Sequence, residues 1–240
     1  MTVYSPRKQA RMFFDIETIA NPENLALAPE PVIEAPANYK DPVKIAEYIT
    51  EKTAAAKAEL VNRAALDPDY GKVLSIGYAL GPDLPISTTL VGDSICVEWD
   101  EKTGEEVAFR EITEADVLKE FWGVFARCNG CCVGFNVLSF DLPYLMARSM
   151  FLGVKVPFVP NLAKFRCDPV TDLYAIRYNW GPGKGLKQMA KLLGITPLCP
   201  DVDGSKVKDM DHQELRTYQV SDVDLVQQLF KRMNGVYFNL

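Results

Sequence analysis

Met12, Phe13 and Phe14 form an apolar run that meets carboxylates at Asp15 and Glu17, with Ile16 between them. A short run of this kind predicts a buried first strand. From Ala20 to Asn38 Pro, Ala and Glu recur without a period, which predicts an irregular connection. Asp41 to Ala65 is rich in Ala, Lys and Glu, with apolar Ile45, Ile49 and Leu60, and predicts a helix. Lys72 to Leu80 reads as a second strand, and Ser87–Val91 and Ile95–Trp99 as further β structure. Asp100 to Gly104 carries turn chemistry, with Val107–Arg110 as a return strand.

Thr113, with Asp116 three residues on, opens a helix that runs to about Cys128. Asn129-Gly130 ends it, and Cys131–Phe135 is a short buried strand. Helices are predicted over Phe140–Phe151, Asp172–Tyr178 and Leu186–Leu193, with Gly194 stopping the last of these. A final helix covers Asp211 to Met233. Strands first, then helices alternating with a strand, imply an α/β fold with a mixed central sheet flanked by helices. Internal repeats and low-complexity tracts are absent from the sequence.

Composition changes this picture in few places. At 240 residues and 48% hydrophobic, the chain can bury one core, and the expectation is a single domain over 1–240 with a helical insertion at about 20–66. No apolar run approaches the ~18 residues of a membrane span. Met1 to Arg11 lacks the apolar stretch of a secretory signal. The expectation is therefore a soluble cytoplasmic chain with reduced thiols. The net charge of −6 argues, taken alone, against a nucleic-acid ligand. That argument weakens where carboxylates hold divalent cations, because the ions then set the local potential.

Three clusters carry candidate chemistry. Asp15 and Glu17 are two apart on a strand and so share a face. They fit a strand that simply ends in solvent, or oxygen ligands for a hard cation. Asn136 follows a short strand, and Asp141 opens the next helix. Asp141 or Ser139 fits a helix cap equally well. Tyr218 and Asp222 are i and i+4 on the last helix and share a face. The pair fits a core tyrosine beside a surface acid equally well.

In order and spacing the three clusters together resemble the DEDD (DnaQ-like) superfamily of 3′–5′ exonucleases. Asp15-Ile16-Glu17 matches its first motif, Asn136 with Phe140-Asp141 its second, and Tyr218 with Asp222 its third. The histidine branch places His five residues before the last Asp. Here that position is Thr217, and His212 lies too far upstream, so the match is to the tyrosine branch. Within it the chain resembles the exonucleases related to the proofreading domain of family B DNA polymerases, from about Phe13 to Leu229.

The resemblance implies a ribonuclease H-like fold. It implies two divalent cations, Mg²⁺ or Mn²⁺, on Asp15, Glu17, Asp141 and Asp222, with Glu17 also near the attacking water or the 3′ hydroxyl. Tyr218 would orient the water, since a phenol titrating near 10 is a poor base at neutral pH. Asn136, Phe140, Thr18, Lys184 and Lys187 are the expected substrate contacts. The implied substrate is a nucleic-acid 3′ end, single-stranded DNA ahead of RNA, in proofreading or repair. A polymerase or replication protein is the implied partner, on a separate chain. The alternatives are an inactive binding module on the same fold, a 3′–5′ exoribonuclease, and an endonuclease or resolvase.

Two other features compete for a role. Cys128, Cys131 and Cys132 have Cys-x-x-Cys spacing but no second ligand pair, so small buried hydrophobes are expected rather than zinc ligands. Trp180 to Lys187 is glycine-rich and basic, without the pattern of a phosphate-binding P-loop. It fits a loop entering a helix. It also fits a nucleic-acid contact, with Lys184, Lys187 and Lys191 on phosphates and Trp180 or Tyr178 near a base. Lys164, Arg166 and Arg177 extend the basic region and partly offset the acidic pI.

Overall fold

A computed structural model describes residues 10–99, 102 and 106–237. Its strands are β1 (Met12–Ala20), β2 (Gly71–Ala79), β3 (Ser87–Leu90), β4 (Ser94–Trp99), β5 (Glu106–Glu111), β6 (Cys132–Gly134) and β7 (Val170–Asp172). Its helices are α1 (Pro22–Leu25), α2 (Pro42–Arg63), α3 (Glu114–Arg127), α4 (Asp141–Leu152), α5 (Leu173–Arg177), α6 (Leu186–Leu192) and α7 (His212–Tyr237). The turn expected at Asp100–Gly104 lies outside the described residues except for Lys102. The sequence pattern leaves out β7, which is only three residues long and runs straight into α5.

The fold is α/β and ribonuclease H-like, with a mixed five-stranded sheet in the order β3-β2-β1-β6-β7. β2 and β3 pair antiparallel, while β1 pairs parallel with β6 and β6 with β7. β4 and β5 form a separate antiparallel ribbon. Alternation along β1 assigns its two faces. Met12, Phe14 and Ile16 enter a core with residues of α3 and α4. Phe13 enters a second core with Val223, Val226, Leu229 and Phe230 of α7. Asp15 and Glu17 have the parity of Phe13, so they face α7 rather than α3.

Local chemistry fixes the helices. Thr113 and Asp116 form the expected capping box at the start of α3, a feature worth about 1 kcal/mol. Glu114 takes two hydrogen bonds of 2.9 Å from buried Arg148 and one of 2.9 Å from the Val73 amide. This ties α3, α4 and β2 together through an ion pair away from water. Removing one partner of such a pair costs about 3–5 kcal/mol, because the other charge stays buried. At Gly77 a Cβ would come 2.7 Å from the Gln219 Cγ, so the missing side chain lets α7 lie directly on β2.

By contacts the chain divides into two compact units, Met1–Glu17 with Val73–Leu240, and Thr18–Lys72. In the second, Asp41 caps α2 by accepting from the Val43 amide, and no residue of α2 is buried. Tyr39 packs edge-on against Tyr48, and Lys57 pairs with Glu30. Among the described residues no helix is long and apolar enough to cross a membrane. None of the six cysteines is in a disulfide. Cys128, Cys131 and Cys132 are buried, and burial pushes their thiols up.

Candidate active site

β1 delivers Asp15 and Glu17 to the face covered by α7, and α7 returns Tyr218 and Asp222 one turn apart. Oxygens of Asp15, Glu17 and Asp222 lie within 4.8 Å of one another. Among the described residues this is the one grouping of His, Cys, Asp or Glu suited to a metal ion. Asp141 stands beside the trio rather than in it, and its carboxylate accepts the Ile16 amide between the two acids of β1. Tyr218 is buried, and its phenol hydrogen-bonds the Asp222 carboxylate.

Electrostatics agree with the geometry. Burial, then Glu17, Asp141 and Asp222, raise Asp15 well above the usual carboxylate range. Burial and Asp222 do the same to Glu17, opposed by Lys187. Asp141 is pushed up to about 7, chiefly by burial. Burial raises Asp222 as well, opposed by Lys187. The Tyr218 phenol also moves up, from burial and then the neighbouring acids, so it is a still poorer base than a free phenol.

These residues fit divalent cations. All the donors are oxygens, the chemistry of Mg²⁺ and Mn²⁺. The Asp222 Oδ1 atom is buried without a hydrogen-bond partner. Such an atom is costly to leave bare. One protein cation approaches: Lys187 Nζ lies 3.6 Å from that oxygen and 4.1 Å from the centre of the Tyr218 ring. Lys187 also donates to the Val202 carbonyl, tying α6 to the segment before α7.

The other expected contacts are spread more widely. Asn136 is half-buried at φ 69°, and its amide donates to Asp172. Phe140 packs on the core beneath α4, its ring centre 5.3 Å from that of Tyr144. Lys184 is exposed. Thr18 belongs to the second unit, where its hydroxyl donates to the Ala65 carbonyl at 2.6 Å. A cavity of about 640 Å³ lies against Tyr218, lined also by Val202, Met210, Gln213 and Thr217.

Sequence reasoning missed two side chains. Gln219 is fully buried, and its Nε2 donates to Asp15 at both the carbonyl (3.2 Å) and Oδ2 (3.1 Å). Its Oε1 accepts the Ser75 hydroxyl at 2.6 Å. Asp172 joins the Asn136–Leu138 turn to the start of α5. The signal for Gln219 was weak but present: an uncharged polar residue beside Tyr218, on a helix face otherwise committed to the core.

The fold and the acid cluster define a domain of the kind found in polymerase exonucleases. A solved structure of the family B DNA polymerase from the hyperthermophilic archaeon Pyrobaculum calidifontis matches with a TM-score of 0.53 at 18% identity. The match covers 95% of this chain and 25% of that one, so the chain spans about a quarter of that polymerase's length. At this identity the likeness is one of fold. No curated protein matches the chain. Residues 94–236 match the family model described as predicted 3′–5′ exonuclease related to the exonuclease domain of PolB, and the chain belongs to that family. Asn136, Phe140, Asp141, Tyr218 and Asp222 fall within the matched segment, while Asp15 and Glu17 precede it.

Proposed function

We propose that the chain is a metal-dependent 3′–5′ exonuclease of the DEDD tyrosine branch, cutting phosphodiester bonds at the 3′ end of nucleic acid. The observation that carries this reading is the convergence of Asp15, Glu17 and Asp222 beside Tyr218, from two elements more than 190 residues apart in sequence. Bound Mg²⁺ or Mn²⁺ would neutralise phosphoryl charge and lower the pKa of the attacking water. Asp15, Glu17 and Asp222 would hold the cations, with Asp141 completing the set from the start of α4. Tyr218 positions the water through its phenol, because a group so hard to deprotonate does not serve as base. Lys187, beside Asp222 and Tyr218, is placed to meet a phosphate oxygen. Single-stranded DNA is the favoured substrate, in proofreading or repair alongside a polymerase. The complete set of acids supports this reading over an inactive binding module.

The test is degradation of 3′- and 5′-labelled DNA and RNA strands with Mg²⁺ or Mn²⁺, against EDTA and Asp15→Ala controls. A metal-dependent ladder shortening from the 3′ end, lost in the variant, is expected. Folded protein that cuts neither strand with either metal would falsify the proposal. Cleavage of circular substrate would redirect it to an endonuclease.

A further inference from the structure

We propose that Phe165, Trp180 and the cations Lys164, Arg166, Arg177 and Lys184 form a docking shelf for the single strand upstream of the cleaved end. The proposal deepens the exonuclease reading and takes its ligand class from it. The location of the shelf rests on separate observations.

The first is an aromatic pair of exposed Phe165 and half-buried Trp180. Phe165 is 70% exposed, and its ring centre lies 4.9 Å from that of Trp180. Both sit in the left-handed region, at φ 64° and 58°, and Asn179 joins them at φ 49°. Side chains other than glycine adopt this backbone at a cost, and surrounding structure must hold them there. An aromatic held out of the core in this way gives a face on which any base can stack.

The second is charge. The chain carries a net −6, yet from 164 to 191 it has six cations and two acids. Neither acid is free to oppose the cations: Arg11 holds Asp168 at 2.9 Å, and Asp172 is buried on backbone amides. Among the described residues Lys164, Arg166, Arg177 and Lys184 form no ion pair, whereas Arg11, Arg110, Arg148 and Arg216 do. All four are exposed. Separated cations around aromatic rings match the alternation of phosphate and base along a single strand.

The third is continuity with the acid cluster. Phe135, next to Asn136, packs on Tyr174 at 5.4 Å, and Tyr174 on Tyr178 at 5.1 Å. The Arg177 guanidinium lies 5.4 Å from the centre of the Tyr178 ring. Gly183 rests on Tyr178, where a Cβ would come within 2.2 Å of Cδ2, and its amide donates to the Tyr174 hydroxyl at 2.7 Å. The loop under the shelf is thus stacked on rings that start at the Asn136 turn. Lys184 precedes Lys187 by three residues, so their Cα atoms are at most about 11 Å apart. Lys187 lies 3.6 Å from Asp222, so the chain leaving the shelf at Lys184 leads to the acids within three residues.

The test is binding of fluorescent DNA and RNA strands of about 12 nucleotides, a length in the usual single-strand range, to the full chain in EDTA. Phe165→Ala should weaken affinity by about 5- to 100-fold, the worth of one base–aromatic stack. The combined Lys164→Gln, Arg166→Gln and Arg177→Gln protein should lower the slope of log affinity against log salt by about 2. Both losses should shrink on a dinucleotide, and the preferred strand identifies DNA or RNA as the occupant. Variants that bind like wild type with an unchanged slope would overturn the shelf, as would wild-type protein that binds neither strand. Binding through the shelf without cleavage in Mg²⁺ or Mn²⁺ would keep the shelf and sink the exonuclease reading. Cleavage whose dependence on strand length is the same in every variant would do the reverse.

Discussion

Asp172 and Asp222 are both buried carboxylates, 1% and 7% exposed, and they lead opposite lives. Asp172 accepts backbone amides of Asn136 (2.9 Å), Leu138 (3.0 Å) and Ala175 (3.1 Å). Burial pushes its pKa up, and those amides pull it back. Asp222 has one oxygen that accepts no hydrogen bond, with Lys187 Nζ 3.6 Å away, and it shares its space with Glu17 and Asp15. One acid is solvated by the fold and closes a loop. The other keeps one oxygen without a hydrogen bond beside like charges, and only the Tyr218 phenol and Lys187 at 3.6 Å offset them. Burial alone does not separate the two carboxylates; the supply of donors does.

The largest effect expected from breaking this contrast is on activity. Asp222→Asn should lower the cleavage rate by about 10³-fold or more, about 4 kcal/mol of transition-state stabilisation. In EDTA the same change should alter stability little, because the relief of repulsion from Glu17 and Asp15 is set against the loss of the Lys187 ion pair. The pH dependence follows. The cluster carboxyls hold protons to higher pH in the folded chain than in the unfolded one, Asp141 up to about 7. Between the ordinary carboxylate range and that value the folded state binds more protons. Metal-free stability should therefore fall as pH rises through the window from about 5 to 7 and return as pH drops. Thermal melts across that window check the sign, and a wild-type melt that rises with pH there would refute it.

Asp172→Ala should behave in the opposite way. It strips three backbone amides of their acceptor and should cost about 3 kcal/mol of stability with or without metal. Chemical denaturation reads this directly. An unchanged midpoint would mean that Asp172 is not the structural acid described above.

Tyr218→Phe comes next. The ring stays to pack and only the hydroxyl goes, so kcat should fall about 10- to 100-fold with little change in KM. An equal loss in both parameters, or none in single-turnover chemistry, would take the phenol out of the reaction.

Much of this contrast was legible in the sequence, for particular reasons. Period-2 alternation on β1 put Asp15 and Glu17 on one face, and i, i+4 spacing put Tyr218 and Asp222 on another. The family resemblance joins the two. Asp172 was read only as the start of a helix. Its real task depends on β7, a three-residue strand whose pairing with β6 is long-range and leaves no periodic trace. Asp141 was expected among the ligands, and its contact with the Ile16 amide depends on how α4 meets β1, which spacing along the chain does not encode. The division at Thr18 and Lys72 was legible only as an unassigned insertion, since α2 buries nothing that would set its pattern.

Gln219 sharpens the contrast at its finest grain. It donates from a neutral amide to an acid of the cluster, and it is itself held by Ser75. Asp15 is thereby oriented by an amide that brings no charge of its own to the carboxylate. Gln219→Leu keeps the volume near Gly77 and removes the donor. As a positioning residue it should act through Asp15, raising the Mg²⁺ concentration needed for half-maximal rate by about 10-fold, at the low end of such outer-shell effects. Saturating metal should restore most of the rate, which a collapsed helix contact would not allow. A rate that stays low at saturating metal, with the melting temperature also reduced, would make Gln219 a packing residue of the α7–β2 contact instead.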